Sequence, residues 1–225
     1  MPSHLLSTPR SRWLAAAVGA AAAGAAMYLG DQAPYPYAQH VLLDIPLPYL
    51  TSSRIDGILQ PQPGERILEI GPGTGLQTLR IAPKLGEAGR LDIVDIQREM
   101  LNHVMRRAQA KKIGTIVPNL SDARELPFTD GAFDAVYLVT ALGEIPESNR
   151  VVAEAARVLK PGGRLVVGEF FDRHWIPFGR LRRMAAQSGF RIDDWSGVTF
   201  AYLARFRPAG GDARSAHTPV MGALA

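Results

Sequence analysis

The chain has 225 residues, enough for one domain with a terminal extension and cramped for two. With 47% hydrophobic and 20% charged residues, its composition excludes a wholly disordered, collagen-like or coiled-coil protein. It has no cysteine, which excludes disulfide frameworks, zinc ribbons, iron–sulfur clusters and thiolate nucleophiles, and its five scattered histidines suggest no metal centre. The 25 basic residues include Arg10 and Arg12, so the rest of the chain carries 23 against 21 acidic ones. That near-neutral body gives no basic face for nucleic acid. The local cluster Arg173, Arg180, Arg182 and Arg183 reads as a solvated helix face.

Residues 13–30 form an uncharged stretch, nine of them alanine. As a helix they would run about 27 Å, close to the roughly 30 Å of a bilayer core. Arg10 and Arg12 before them and Asp31 after them would keep the N-terminus in the cytoplasm. The stretch therefore reads as a membrane anchor, with an exposed or docked helix and a cleaved signal segment as alternatives. Residues 31–63 follow as a connecting and lid segment rich in proline and tyrosine. Prolines 34, 36, 46 and 48 forbid a continuous helix, while Thr51, Ser52 and Ser53 offer N-caps for a short one ending at Leu59. Tyr35, Tyr37, His40 and Tyr49 are candidates to cover a ligand.

From residue 64 to 207 short apolar runs alternate with amphipathic stretches, the pattern of strand–helix–strand units on a parallel sheet. The runs fall at 66–70, 90–95, 114–117, 133–139 and 164–170. Helices are expected over 97–112 and 148–160, the second stopped by Lys160-Pro161-Gly162-Gly163. Two further strands, 190–195 and 199–207, are separated by only three residues, too few for a parallel crossover, so they must pair antiparallel. Residues 208–225 read as a disordered tail.

The run Arg66-Ile-Leu-Glu-Ile-Gly-Pro-Gly-Thr-Gly-Leu carries a strand into a glycine loop and then a helix. Gly71, Gly73 and Gly75 permit a tight turn and close approach of backbone N–H groups to a ligand. A dinucleotide fingerprint would place glycine where Leu76 stands, and a phosphate-cradling loop would need Gly-Lys-Ser/Thr. No Tyr-x-x-x-Lys pair exists for short-chain dehydrogenase chemistry. Acids stand at strand ends instead. Asp95 lies where a carboxylate can accept both hydroxyls of a ribose, and Asp122 where one can meet an adenine amino group. Glu69 stands two residues before the first glycine. Acids so placed suit a ligand with a cationic end better than a pyrophosphate.

These segments, with Asp122-Ala123-Arg-Glu-Leu-Pro-Phe and Arg157-Val-Leu-Lys-Pro-Gly-Gly-Arg-Leu, resemble class I S-adenosylmethionine-dependent methyltransferases of the type 11 kind over about residues 55–206. The resemblance implies an α/β, Rossmann-like doubly wound seven-stranded sheet with an antiparallel last strand, here preceded by the N-terminal hydrophobic helix. It implies S-adenosylmethionine as cofactor. Glu69 with the loop Gly71, Pro72, Gly73, Thr74 and Gly75 would hold its methionine part, and Asp95 its ribose. Ile96 and Ala123 would line the adenine, Asp122 would meet its amino group, and Val139 and Thr140 would lie beside the sulfonium. The wording around Leu126-Pro-Phe and Val158-Leu-Lys-Pro-Gly-Gly is similar to the ubiquinone/menaquinone biosynthesis methyltransferases.

Methyl transfer from a sulfonium is an in-line displacement, so positioning the acceptor supplies much of the rate. A base is needed only where the acceptor must lose a proton, and Glu144, following the fourth strand, is the candidate. The acceptor is expected to be a small molecule, and an anchored chain would suit an apolar one at the membrane, with the catalytic domain in the cytoplasm. A catalytically silent cofactor-binding scaffold, an NAD-type enzyme and a purely cytoplasmic protein are the alternatives.

Overall fold

A computed structural model describes residues 36–38, 44 and 49–210. Seven strands form one sheet in the order β3-β2-β1-β4-β5-β7-β6. They are β1 (Arg66–Ile70), β2 (Arg90–Asp95), β3 (Ile116–Leu120), β4 (Phe133–Val139), β5 (Leu159–Phe170), β6 (Phe190–Val198) and β7 (Ala201–Pro208). β1 to β5 pair in parallel, while β7 runs antiparallel to both β5 and β6. The last strand is therefore reversed, as the short link before it requires.

Apolar side chains alternate between the two faces of the sheet, so both can be covered. On one face Ile67, Ile93 and Tyr137 pack with α1 (Ser52–Leu59), α2 (Thr78–Ile81) and α3 (Arg98–Ala110). On the other Leu68, Ile70, Val136 and Leu138 pack with α4 (Ser148–Val158) and α5 (Phe178–Gln187). α3 buries Met100, Leu101, Val104 and Ala108, and α4 buries Val151, Val152, Ala155 and Val158, the spacing of a single helical face. This is the doubly wound arrangement.

Boundaries moved in three places, each for a local reason. β3 runs on through Pro118 and Asn119, which the expected 114–117 strand excludes. It is the edge strand, where a proline leaves no ladder donor missing. α4 stops at Val158, and β5 begins at Leu159 rather than at 164. Pairing jumps from Phe133↔Leu159 to Ala135↔Arg164, so Lys160-Pro161-Gly162-Gly163 bulges out within the strand. The expected turn at 196–198 is strand: Gly197 pairs with Tyr202, and the chain reverses at Thr199-Phe200.

Ser52–Leu59 is helical as expected, although Thr51 at its N-cap makes no side-chain cap hydrogen bond. The buried Arg164 fastens α1 to the sheet by donating to the Leu59 and Gln60 carbonyls and to both oxygens of Glu65. Residues 13–30, 211–225, Tyr35 and His40 lie outside the described residues. Among the described residues no helix is long and apolar enough to cross a membrane.

Candidate active site

The carboxyl ends of β1, β2 and β4 open into a cavity of about 450 Å³. That volume falls within the several hundred Å³ common for small-ligand sites. Every residue expected at the cofactor lines it except Gly75, and Glu144 lines it too. Gly75 works from behind: at φ 86 its N–H closes onto the Pro72 carbonyl at 2.9 Å, turning the loop into α2.

Gly71 and Gly73 also have positive φ, 68 and 52. A Cβ at 71 would stand 2.6 Å from that of Ala141, so the glycine loop touches the loop after β4. Beneath it Glu69 is fully buried and accepts a 2.5 Å hydrogen bond from the Thr78 hydroxyl, with Tyr137 beside it. Burial pushes its carboxyl up to about 7, against the opposing hydrogen bond from Thr78. Asp95 closes β2 and accepts the Gln97 N–H at 2.8 Å, which fixes its orientation. Burial pushes it up to about 6, against the backbone donors of Gln97 and Ile96.

Asp122 lies on the cavity wall with its carboxylate already forked by Arg124, at 2.7 and 3.0 Å. Those bonds hold it below the ordinary carboxylate range. Ile96 presents an exposed apolar side chain to the same wall. Thr140 sits at φ 53, an uncommon conformation for a β-branched residue, with its N–H on the Gly168 carbonyl at 2.7 Å. Such strain, about 1–3 kcal/mol, clusters at functional sites.

Glu144 lines the cavity with the His174 imidazole 4.0 Å away. His174 is well buried, and its main chain presses on Gly143: a Cβ at 143 would lie 1.8 Å from the His174 carbonyl oxygen. The loops after β4 and β5 are thus locked together with an acid and an imidazole between them.

Of the candidate lid, neither Tyr37 nor Tyr49 lines the cavity. The Tyr37 hydroxyl meets His103 at 3.4 Å and Arg106 at 3.3 Å on α3, and the Tyr49 hydroxyl meets Ser196 at 3.2 Å. Among the described residues of this segment Asp44 bonds to the glycine loop, which sequence reasoning missed. It accepts bonds from the Thr74 hydroxyl at 2.7 Å and from Arg107 at 3.1 Å, while Arg107 also donates to the Thr74 carbonyl at 2.8 Å. Burial opposes its ionisation, but Thr74 and Arg107 outweigh it and hold Asp44 below the ordinary range. Its signal was present, since it is the single formal charge between Asp31 and Arg54.

A family profile described as a methyltransferase domain matches residues 67–163, the span from the glycine loop through the bulge in β5. Residues 67–163 are thus a methyltransferase domain, and the match supports the class I S-adenosylmethionine-dependent kind. The chain is 36% identical over 141 residues to the ubiquinone/menaquinone biosynthesis C-methyltransferase UbiE of Paraburkholderia phymatum, covering 62% of this chain and 56% of that one. It is 38% identical over 124 residues to the Vibrio cholerae protein of the same name, covering 53% and 46%. The methyltransferase domain thus spans about half the length of these relatives. In fold it is similar to a SAM-dependent methyltransferase from Aquifex aeolicus, with TM-score 0.70, 18% identity and 77% and 98% of the two chains covered. It is also similar to the [4+2]-cyclase SpnF, with TM-score 0.63, 21% identity and 70% and 80% covered.

The cofactor of this methyltransferase family is S-adenosylmethionine. The residues present fit it. A loop with no room for a Cβ at 71, a buried acid beneath it and an oriented acid at the end of β2 match a cationic amino acid joined to a ribose.

Proposed function

We propose that the chain transfers a methyl group from S-adenosylmethionine to a small apolar acceptor. The observation that carries this reading is one cavity running from Glu69 and Asp95 to Glu144. When bound, the cofactor supplies an electrophilic methyl group on its sulfonium. Glu69 and the N–H groups of the glycine loop would hold the methionine end, and Asp95 would accept the two ribose hydroxyls. Ile96 and Ala123 would sandwich the base, with Asp122, already held by Arg124, at its rim. Val139 and the strained Thr140 would set the position of the sulfonium end.

The named relatives are C-methyltransferases of ubiquinone and menaquinone biosynthesis, which supports a quinone-related acceptor methylated at carbon. The balance of such a step requires a base. At a ring carbon the incoming methyl would replace a proton, which a group of this chain would have to take up. Glu144 would receive that proton, with the His174 imidazole 4.0 Å away to steady the carboxyl as its charge changes. An anchor at residues 13–30 would keep the domain beside a membrane-dissolved acceptor.

Calorimetric titration with S-adenosylmethionine, S-adenosylhomocysteine and NAD, followed by transfer of labelled methyl to short-chain quinols and to a membrane lipid extract, tests this. Binding of the adenosyl ligands alone together with label in the extract is the expected result. The cyclase neighbour shows that this fold also serves other chemistry. Cofactor binding with no labelled product would favour that second reading, and NAD binding would overturn both.

A further inference from the structure

Large apolar side chains are seldom exposed near one another without a partner. Several are exposed on the last two strands and in the loop after β5. Phe171 is 64% exposed, Phe200 54%, Val198 45% and Trp195 44%. Phe170 pairs with Ala201, so Phe171 and Phe200 both lie one step beyond the ladder, and Val198 pairs with Ala201 from the other side. Trp195 pairs with Ala204, itself opposite Val167, so it stands further back along the sheet on the face that Phe178 covers, while Val198 points to the opposite face. Trp175 packs edge-on against Phe171 at 5.7 Å, and Phe178 stacks on Trp195 at 4.8 Å.

Basic charge borders this patch. Arg182 stands 6.0 Å over the Phe178 ring, and Arg180 and Arg183 are exposed on the same helix. Among the described residues Arg180, Arg182 and Arg183 make no ion pair. The neighbouring acids are engaged: Asp193 holds Arg205 at 2.6 Å and Arg207 at 3.1 Å, Asp194 lies 3.7 Å from Arg205, and Asp172 accepts the His174 N–H. The working face is therefore a cluster of aromatic tips beside arginines with no acid of their own.

We propose that this edge is a membrane-docking surface, with Phe171, Phe200 and Trp195 entering the interface of a bilayer and Arg180, Arg182 and Arg183 meeting anionic headgroups. Aromatic rings favour the level of the headgroups, and arginines beside them select negatively charged lipid. An uncharged protein partner would leave those guanidinium groups unanswered. The patch lies on the edge of the sheet that carries the cavity, so docking would bring the acceptor end of the site to the lipid. It is independent of residues 13–30 and of which methyl acceptor is used.

The test uses the full chain with Trp13→Phe and Trp175→Phe, leaving Trp195 as the sole tryptophan, and vesicles whose acyl chains carry bromine as a quencher. Expected are a blue shift and quenching of Trp195 on phosphatidylglycerol-containing vesicles. Three arginines should give a preference over phosphatidylcholine on the order of a hundredfold at low salt. Phe171→Ser with Phe200→Ser should remove most of the quenching. Arg180→Glu, Arg182→Glu and Arg183→Glu together should remove the lipid preference. Binding of S-adenosylhomocysteine by each variant checks that the fold is intact; if the phenylalanine pair fails that check, the charge-reversed chain decides. Vesicle binding without Trp195 quenching would mean attachment through residues 13–30 alone and would overturn the proposal. So would dimerisation that shields Trp195 while vesicles leave its emission unchanged.

Discussion

Asp44 accepts a 2.7 Å hydrogen bond from the Thr74 hydroxyl, so a residue thirty positions upstream holds the tip of the glycine loop. Arg107 completes the clamp from α3. A partly exposed, charge-assisted contact of this kind is worth about 1 kcal/mol. Asp44→Ala should therefore weaken S-adenosylmethionine roughly fivefold by calorimetry. Thr74→Val should do the same, and the double variant should lose little more than either alone. Fully additive losses would show that the two residues act separately.

Glu69 sets stability against binding. Its folded pKa of about 7 lies above the ordinary 4.5, so the folded chain holds the proton more tightly than the unfolded one. The free protein should be most stable below pH 4.5 as far as this group is concerned, and should lose that contribution as pH rises through 7. Glu69→Gln keeps an acceptor for Thr78 and removes the buried charge. Thermal unfolding at pH 8 should show the variant more stable by up to about 3 kcal/mol. The same variant should bind the cofactor at least ~10-fold more weakly, since its ammonium loses a charged partner. An unchanged affinity would remove Glu69 from the site.

The pH dependence of cofactor affinity follows from Asp95 and Glu69 together. Burial holds them at about 6 and about 7, and ligand donors favour the ionised forms. Affinity should rise between pH 5 and 7, with proton release on binding that calorimetry in buffers of different ionisation enthalpy will detect. Asp95→Asn should flatten the lower part of that rise and cost about ten- to a hundredfold at pH 7.5. A flat profile in the unaltered protein would contradict both assignments.

Glu144→Gln should leave S-adenosylhomocysteine affinity unchanged and reduce kcat by about 10²–10⁴ with an acceptor that must lose a proton. His174→Asn should keep more activity and move the acidic limb of the kcat profile, the sign of a positioning residue. Equal kcat in Glu144→Gln and the parent would leave the step without a base.

The glycine loop, Glu69 and Asp95 were legible because each depends on its immediate neighbours: a strand, a turn that needs positive φ, and an acid at a strand end. The reversed last strand was legible from the length of its link. Pro118 hid the end of β3, because position in the sheet, unknown from sequence, decides whether a strand tolerates proline. The grip of Arg107 on Asp44 and the pressing of His174 on Gly143 join distant segments through tertiary contacts that no local pattern announces. The pairing of Asp122 with Arg124 was two residues away, yet it rests on rotamers that spacing alone does not fix.

The reversal of β7 also decides which way the chain exits. Its first residue, Ala201, lies beside Phe170 at the edge that carries the cavity, and its last, Pro208, lies beside Phe190 at the opposite one. A fluorophore or affinity handle joined after Pro208 would leave from the rear of the sheet, clear of the cavity mouth. The same handle inserted at Thr199 would leave from the end of the sheet on which the cavity opens.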